Sequence, residues 1–508
     1  MRAVFQWMAV GLCGVVFGAC VTGPNATANV PSSPSSPAPS SIRYEVEVDP
    51  TLSVLRVALC FEGQPPASLR PISSDGRGFL VSAVDQRGRA LRTRDGIIDL
   101  AALGGDRCLA YTVDLALAVR RLPMAHRLPD AIVLSHAVWL WTPSAPPPRA
   151  ELSFLLPRGV SVATPWLRLA RSTPLRSSDE GGPPTSRVES YLLDESAFRF
   201  HAPVAFGALE EHLFSVGETE VTAVVLPGRL SLDAADLQHC LGTTMQAIGE
   251  LVGGFPTPRL QVYVMPVGGE DPVAFGIVHR GGGASVFLMI RQDATAEEVL
   301  THWVLVHEMM HLTLPMVRSE DAWLTEGLAT YYQEVLLARM GHQSSADTWS
   351  RLREGLARGA AATARAPAQT LADATLSMHA TRGYDRVYWS GTAFALELDI
   401  ALRLQGRSLD DVLRAMPRAI VRSSRMLSGE ELAQAMDATV GGQTVITLYR
   451  QYRDRRDFPS VDRLLRPLGV RTAAVADAVE LVDAERSALR DAILVPAPPQ
   501  GMLRPEGG

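Results

Sequence analysis

The stretch Trp303-Val304-Leu305-Val306-His307-Glu308-Met309-Met310-His311 decides how the rest of this chain is read. Its last five residues have the H-E-x-x-H form. On a helix, positions i and i+4 lie about 40° apart and about one turn along, so two imidazoles converge on one ion from one face. Glu308, beside the first imidazole, can reach a water at the metal. Chance is the competing explanation. With 11 histidines in 508 residues, a random chain of this composition shows the pattern roughly 1% of the time. The apolar residues 303–306 argue against it, because they bury the helix. Two histidines and a glutamate buried without partners are costly, and a metal removes that cost.

Catalytic zinc takes three protein ligands and keeps a fourth position for water. The candidate third ligand is Glu326, in Trp323-Leu324-Thr325-Glu326-Gly327-Leu328-Ala329-Thr330-Tyr331-Tyr332. That segment is expected on a second helix, from about Ser319–Asp321 to Met340, with Gly341 as its stop. Gly327 and Ala329 permit close helix approach. Thr330, one turn beyond Glu326, is placed to support it. Glu320 and Asp321 read as an N-terminal cap, and Glu334 lies beyond the pair Tyr331-Tyr332, which reads as core. His302 points about 140° away from His307 and reads as structural.

Outward from this pair, the motif helix is expected from an N-cap at Asp293 or Thr295, with Glu297 and Glu298 in its first turn, to Leu312. Upstream come strands at Glu220–Leu226, Arg259–Val267 and Ser285–Ile290, a helix at Asp236–Leu251, and Gly281-Gly282-Gly283. From Ile42 to Phe206 short alternating runs recur at Tyr44–Val48, Leu55–Phe61, Phe79–Val84, Leu109–Leu115, Ala131–Leu134, Glu151–Leu156 and Val188–Leu193, a β-sandwich-like pattern. Ser172–Ser186 reads as loop. Downstream the chain is mostly helical. Asp385 is a candidate cap for a helix to Leu404, and Ser408 with Asp411 and Ser428 with Glu431 have capping-box spacing.

The fold class expected is therefore α+β and multidomain. A β-sandwich-like domain occupies 42–206, a catalytic domain 207–345 and a helical domain 346–495, before a loose Pro/Gly-rich tail at 496–508. Composition fits a globular chain, with 47% hydrophobic and 20% charged residues. The net charge of −6 argues against nucleic acid as a partner. Every basic side chain is Arg, and the absence of Lys excludes Schiff-base and Ser-Lys chemistry.

Residues 1–19 read as a signal peptide: Arg2, then a largely apolar run to Phe17-Gly18-Ala19-Cys20. Its end resembles a bacterial lipobox, with Cys20 the lipidated residue, although Phe17 stands where Leu is usual. Ordinary secretion or an uncleaved anchor are the other readings. Thr22–Ser41, rich in Ser and Pro, reads as a tether, so that 20–41 holds the body off a membrane. All of these readings place the body outside the cytoplasm, in the bacterial cell envelope as a lipid-anchored lipoprotein, or else periplasmic or secreted. No cysteines form C-x-x-C, and Cys60 and Cys108, both in strand-like runs, are either a disulfide or two buried thiols.

HEMMH followed by WLTEGLATYYQEVLLARMG resembles the gluzincin metallopeptidases with a thermolysin-like catalytic core, and more narrowly the glycyl aminopeptidase family, a relative of the aminopeptidase N family. Tyr388-Trp389-Ser390-Gly391, continuing as TAFALELDIALRLQGRSLDDVLRAM, resembles that family's tyrosine segment. FPSVDRLLRPLGV (458–470) resembles the end of its helical region. The resemblance implies a single zinc held by His307, His311 and Glu326, with Glu308 as general base. Tyr388 is implied as the tyrosine that donates to the oxyanion, with Tyr384 as runner-up. It also implies a peptide or protein substrate.

The chain departs from the family in three ways. The spacing from His311 to Glu326 is short. No PDZ-like module is evident. His279-Arg280-Gly281-Gly282-Gly283-Ala284-Ser285 lacks the Glu that grips a substrate's free amine, which leaves aminopeptidase and endopeptidase both open. Ser285–Ile290 is expected as an edge strand pairing with substrate, with Gly281–Gly283 giving close approach. The alternative class is a surface-tethered, non-catalytic peptide-binding protein on a degenerate peptidase scaffold.

Overall fold

The structure, a computed structural model, describes residues 41–169, 173–175, 186–473 and 479–496. The signal peptide, Cys20 and all of the tether but Ser41 lie outside the described residues, as does the tail from 497. So does most of the Ser172–Ser186 loop, within which Thr173–Leu175 forms a strand. No described helix is long and apolar enough to cross a membrane.

The chain divides into two compact units. The first runs to Phe214 and adds Glu220–Leu230 and Arg259–Asp293. Its eight-stranded sheet follows the order Leu167–Arg168, Ser186–Asp194, Arg149–Pro157, Ser41–Val48, Val54–Glu62, Cys108–Asp114, Leu80–Asp85, with Thr173–Leu175 also against Ser186–Asp194. The period-2 pattern drives this sheet. Ser41–Val48 buries Ile42, Tyr44, Val46 and Val48 and turns the residues between them outward. Ser41–Val48 runs parallel to Arg149–Pro157, and the other neighbours are antiparallel. The buried face carries an aromatic cluster of Trp139, Phe154, Trp166, Tyr191 and Phe206. Cys60 and Cys108 stand opposite each other on adjacent strands and form a disulfide, Cα to Cα 4.1 Å. The alternative of two thiols is thereby closed.

A five-stranded sheet follows the order Glu210–Val216, Thr219–Val225, Arg259–Val267, Ala284–Arg291, Val273–His279. Here the expectation for Ser285–Ile290 is corrected. That segment pairs on one side with Arg259–Val267 and on the other with Val273–His279, so both rows of its backbone groups are used. The edge is Val273–His279, because the chain doubles back antiparallel before the apolar strand. The glycine triplet is also corrected. A Cβ on Gly281 would meet the carbonyls of Phe200 and His201, and one on Gly282 (φ 81°) the Trp166 ring. The Trp166 indole N–H donates to Gly281 O at 3.0 Å. These glycines let the chain lie against the 165–201 wall of its own unit.

The second unit holds Ser231–Pro258 and the chain from Ala294 onward, with the short Ser215–Thr219. It is built of helices, among them Ala234–Val252, Trp303–His311, Ala322–Arg339, Ser345–Ala364, Tyr384–Arg403 and Gly429–Val440. The single helix expected up to Leu312 is two. Thr295 and Glu298 form a capping box for Ala296–Leu300. Thr301 then bonds its hydroxyl back to Glu297 O at 2.8 Å, and His302 takes an extended backbone as N-cap of the motif helix. Asp385 is not the cap of its helix. Gly383 holds that position, and Asp385 sits in the first turn, 3.7 Å from Arg358. Asp321 holds the N-cap position of its own helix, but its side chain makes no cap bond there; it is buried, accepting from Gly429 N at 2.7 Å and Tyr449 O–H at 2.8 Å. The boxes Ser408/Asp411 and Ser428/Glu431 form as spaced.

Candidate metal centre

The motif helix and the Ala322–Arg339 helix bring His307, His311 and Glu326 together. His307 Nε2 lies 3.2 Å from His311 Nε2 and 3.3 Å from Glu326 Oε2. His311 Nε2 lies 3.4 Å from the same oxygen. A tetrahedral ion with bonds of about 2.0–2.1 Å separates neighbouring ligand atoms by about 3.3–3.4 Å. The triangle is thus one face of such a coordination sphere. Glu326 Oε2 is buried, yet makes no hydrogen bond of acceptable geometry among the described residues. An orphaned carboxylate oxygen aimed at two imidazole nitrogens fits a cation between them. Burial alone pushes the Glu326 carboxyl up, but His311 and then His307 outweigh it and hold the group well below the usual carboxylate range. It is charged at neutral pH.

His307 is 2% exposed, and its Nδ1 lies 2.9 Å from Gln333 Oε1. Gln333 Nε2 in turn donates to Glu334 Oε1 at 3.0 Å. Glu334 lies outside the metal group. Thr330 is buried, and its hydroxyl makes no hydrogen bond among the described residues. His302 is also outside the group. Burial, and then Arg351, push its imidazole down to about 4, and it stays neutral.

The Tyr384–Arg403 helix places Tyr388 flat against His307, ring centroids 5.8 Å apart and planes at 5°. Burial first, then the charges of Glu326 and Glu308, push its phenol well above the ordinary value. It therefore keeps its proton and can donate it in a hydrogen bond. Tyr384 meets Tyr388 edge to face at 6.3 Å, and its hydroxyl lies 3.2 Å from His379 Nδ1. Glu308 is half-buried on the turn after His307. Tyr331 donates to Asp399 and Tyr332 to Asp410, each at 2.8 Å. Both tyrosines are core residues that tie this helix to its neighbours.

Sequence reading missed Gln333 and His379. For Gln333 a signal existed: it lies seven positions after Glu326, two turns along the same face. His379 comes from a separate helix, and no local pattern points to it.

Residues 305–392 match the M61 glycyl aminopeptidase family. Among solved structures, the chain resembles an aminopeptidase N family protein from Idiomarina loihiensis. The TM-score is 0.62 at 19% identity, covering 84% of this chain and 78% of that one. It also resembles an M1 zinc metallopeptidase from Deinococcus radiodurans, with TM-score 0.53, 15% identity, and coverage of 84% and 95%. A mutant of that enzyme bound to a Tyr-Ser-Ala substrate matches at 14% identity and TM-score 0.53, with the same coverage. At these identities the likeness is one of fold. No curated protein matches the chain.

Proposed function

We propose that the chain is a glycyl aminopeptidase-like zinc metallopeptidase of the gluzincin type and that it hydrolyses peptide bonds at the centre formed by His307, His311 and Glu326. The observation that carries this reading is the triangle of 3.2, 3.3 and 3.4 Å between the three ligand atoms. Zinc, when bound there, supplies Lewis acidity and brings the pKa of a water toward about 7. Glu308 is the general base: it takes a proton from the attacking water onto its carboxylate and returns it to the leaving amine. Tyr388, protonated and stacked on His307, donates its O–H to the oxyanion that develops on the substrate. Tyr384 is the alternative donor.

The substrate is a peptide or protein. A Tyr-Ser-Ala ligand in the Deinococcus radiodurans structure supports that class. Residues 279–285, where the resemblance would place the Glu that grips a free amine, carry no acid. This favours cleavage that does not depend on a free amine. Comparing free and N-acetylated forms of one peptide set tests this: equal turnover supports endopeptidase action, and strict dependence on the free amine overturns it. The body works outside the cytoplasm, tethered through lipidated Cys20. The Cys60–Cys108 disulfide supports an oxidising compartment.

The test of the metal reading is chelation. Peptide hydrolysis is expected to vanish with zinc removal and return with one equivalent of zinc. Hydrolysis that survives complete metal removal contradicts it.

A further inference from the structure

We propose that Gln333 is a positioning residue for the metal: it holds the His307 ring through Nδ1, is itself held by Glu334, and so sets how tightly the centre binds zinc. The inference rests on the reading of His307 as a ligand. An imidazole that turns its Nε2 lone pair to a metal carries its proton on Nδ1 and must find an acceptor there. Among the described residues, Gln333 Oε1 meets His307 Nδ1, at 2.9 Å. That contact fixes the amide, whose Nε2 then faces Glu334 Oε1 at 3.0 Å. Each group has one direction: His307 donates to Gln333, and Gln333 donates to Glu334. Both residues are buried, at 6% and 4% exposure, so water does not replace a missing partner. The amide orients the ring without placing a negative charge against it, which a carboxylate at the same position would do.

The order of donors gives the test. Gln333→Ala leaves the His307 Nδ1–H without its acceptor and takes one donor from Glu334, which keeps Gln343. Gln333→Glu with Glu334→Gln restores the alternation in swapped form: His307 donates to one oxygen of the new carboxylate, and the new amide donates to the other. Zinc dissociation constants are measured by competition with a chromophoric chelator, and circular dichroism of the metal-free proteins reports the fold. Gln333→Ala is expected to weaken zinc binding about 10–100-fold, with the double swap recovering to within about threefold of wild type. A folded Gln333→Ala protein that binds zinc as tightly as wild type overturns the proposal. So does a swap as weak as Gln333→Ala. His307→Ala separates this from the ligand assignment. If it keeps wild-type affinity, the assignment itself fails and the relay with it. If it loses zinc while Gln333→Ala does not, only the relay fails.

Discussion

Gly327 and Gly391 face each other across the two helices that carry Glu326 and Tyr388. A Cβ built on Gly391 falls 2.7 Å from Gly327 Cα and even closer to Trp323 O. One built on Gly327 meets the backbone of Gly391 in the same way. Backbone rests on backbone here, so no side chain can cushion a change. The residue before Gly327 is the proposed metal ligand Glu326, and the residue three before Gly391 is the stacked tyrosine. This contact therefore fixes how far the proposed oxyanion donor stands from the metal.

Gly391→Ala is expected to separate the two helices. Overpacking of a close-packed interior costs typically about 1–3 kcal/mol, and backbone atoms cannot yield as a side chain can. A fall in thermal midpoint, together with a loss of hydrolysis larger than the loss of zinc affinity, is the expected signature. Unchanged hydrolysis in Gly391→Ala contradicts it.

Tyr388→Phe removes the phenolic donor and keeps the ring on His307. Turnover is expected to fall about 10²–10³-fold, the usual cost of deleting one oxyanion donor, while zinc content stays at wild type. Tyr384→Phe is expected to have the smaller effect. If the order is reversed in steady-state kinetics, Tyr384 is the donor.

The helical unit also contains a buried charge pair. Arg339 Nη2 lies 2.8 Å from Asp410 Oδ2, with side chains 6% and 1% exposed. Asp410→Ala leaves the guanidinium buried without its counter-ion, and the expected loss in urea unfolding is about 3–5 kcal/mol. Tyr332→Phe deletes only the 2.8 Å bond to the same carboxylate and is expected to cost about 1.5–3 kcal/mol. Equal losses would deny the pair its role.

Acid should weaken the first unit through His136. Its ring is fully buried, with Nε2 2.7 Å from Ala197 O and Nδ1 3.2 Å from the Ala202 N–H. One neutral tautomer satisfies both, donating from Nε2 and accepting at Nδ1, which also lies 3.1 Å from Ala202 O. Burial pushes its pKa down to about 4. The unfolded chain, with its pKa near 6.5, takes up a proton that the folded chain refuses. Stability is therefore full above about pH 6.5 and falls as pH drops toward about 4, by up to ~1.4 kcal/mol per pH unit. In His136→Asn the pH dependence of unfolding is expected to be shallower by one proton over that window. An unchanged slope would remove His136 from the account.

What the sequence made legible follows from what is local. Arg259–Val267 could be read end to end, and the alternation from Ser41 onward announces a half-buried sheet, because both signals lie in neighbouring side chains. The three residues of the ligand triangle were accessible for the same reason: His307 and His311 share a helix face, and Glu326 opens the next apolar helix. The break at His302 was not legible, since Thr301 turns its hydroxyl back on the chain without spoiling the apolar pattern. Nor was the interior place of Ala284–Arg291, because strand order depends on partners remote in sequence. Gly281–Gly283 signalled a close approach but not to what. For Gln333 the one signal was its place on the same stripe as Glu326, which says nothing of the imidazole it meets.

The most direct measurement pairs wild type with Glu308→Gln, both loaded with zinc and assayed on one peptide library. Both proteins are expected to hold one zinc per chain. Wild type is expected to hydrolyse peptides, and the variant to be slower by about 10²–10⁴-fold. Stoichiometric zinc with no hydrolysis by wild type would contradict the account and identify a non-catalytic peptide-binding protein on a peptidase scaffold.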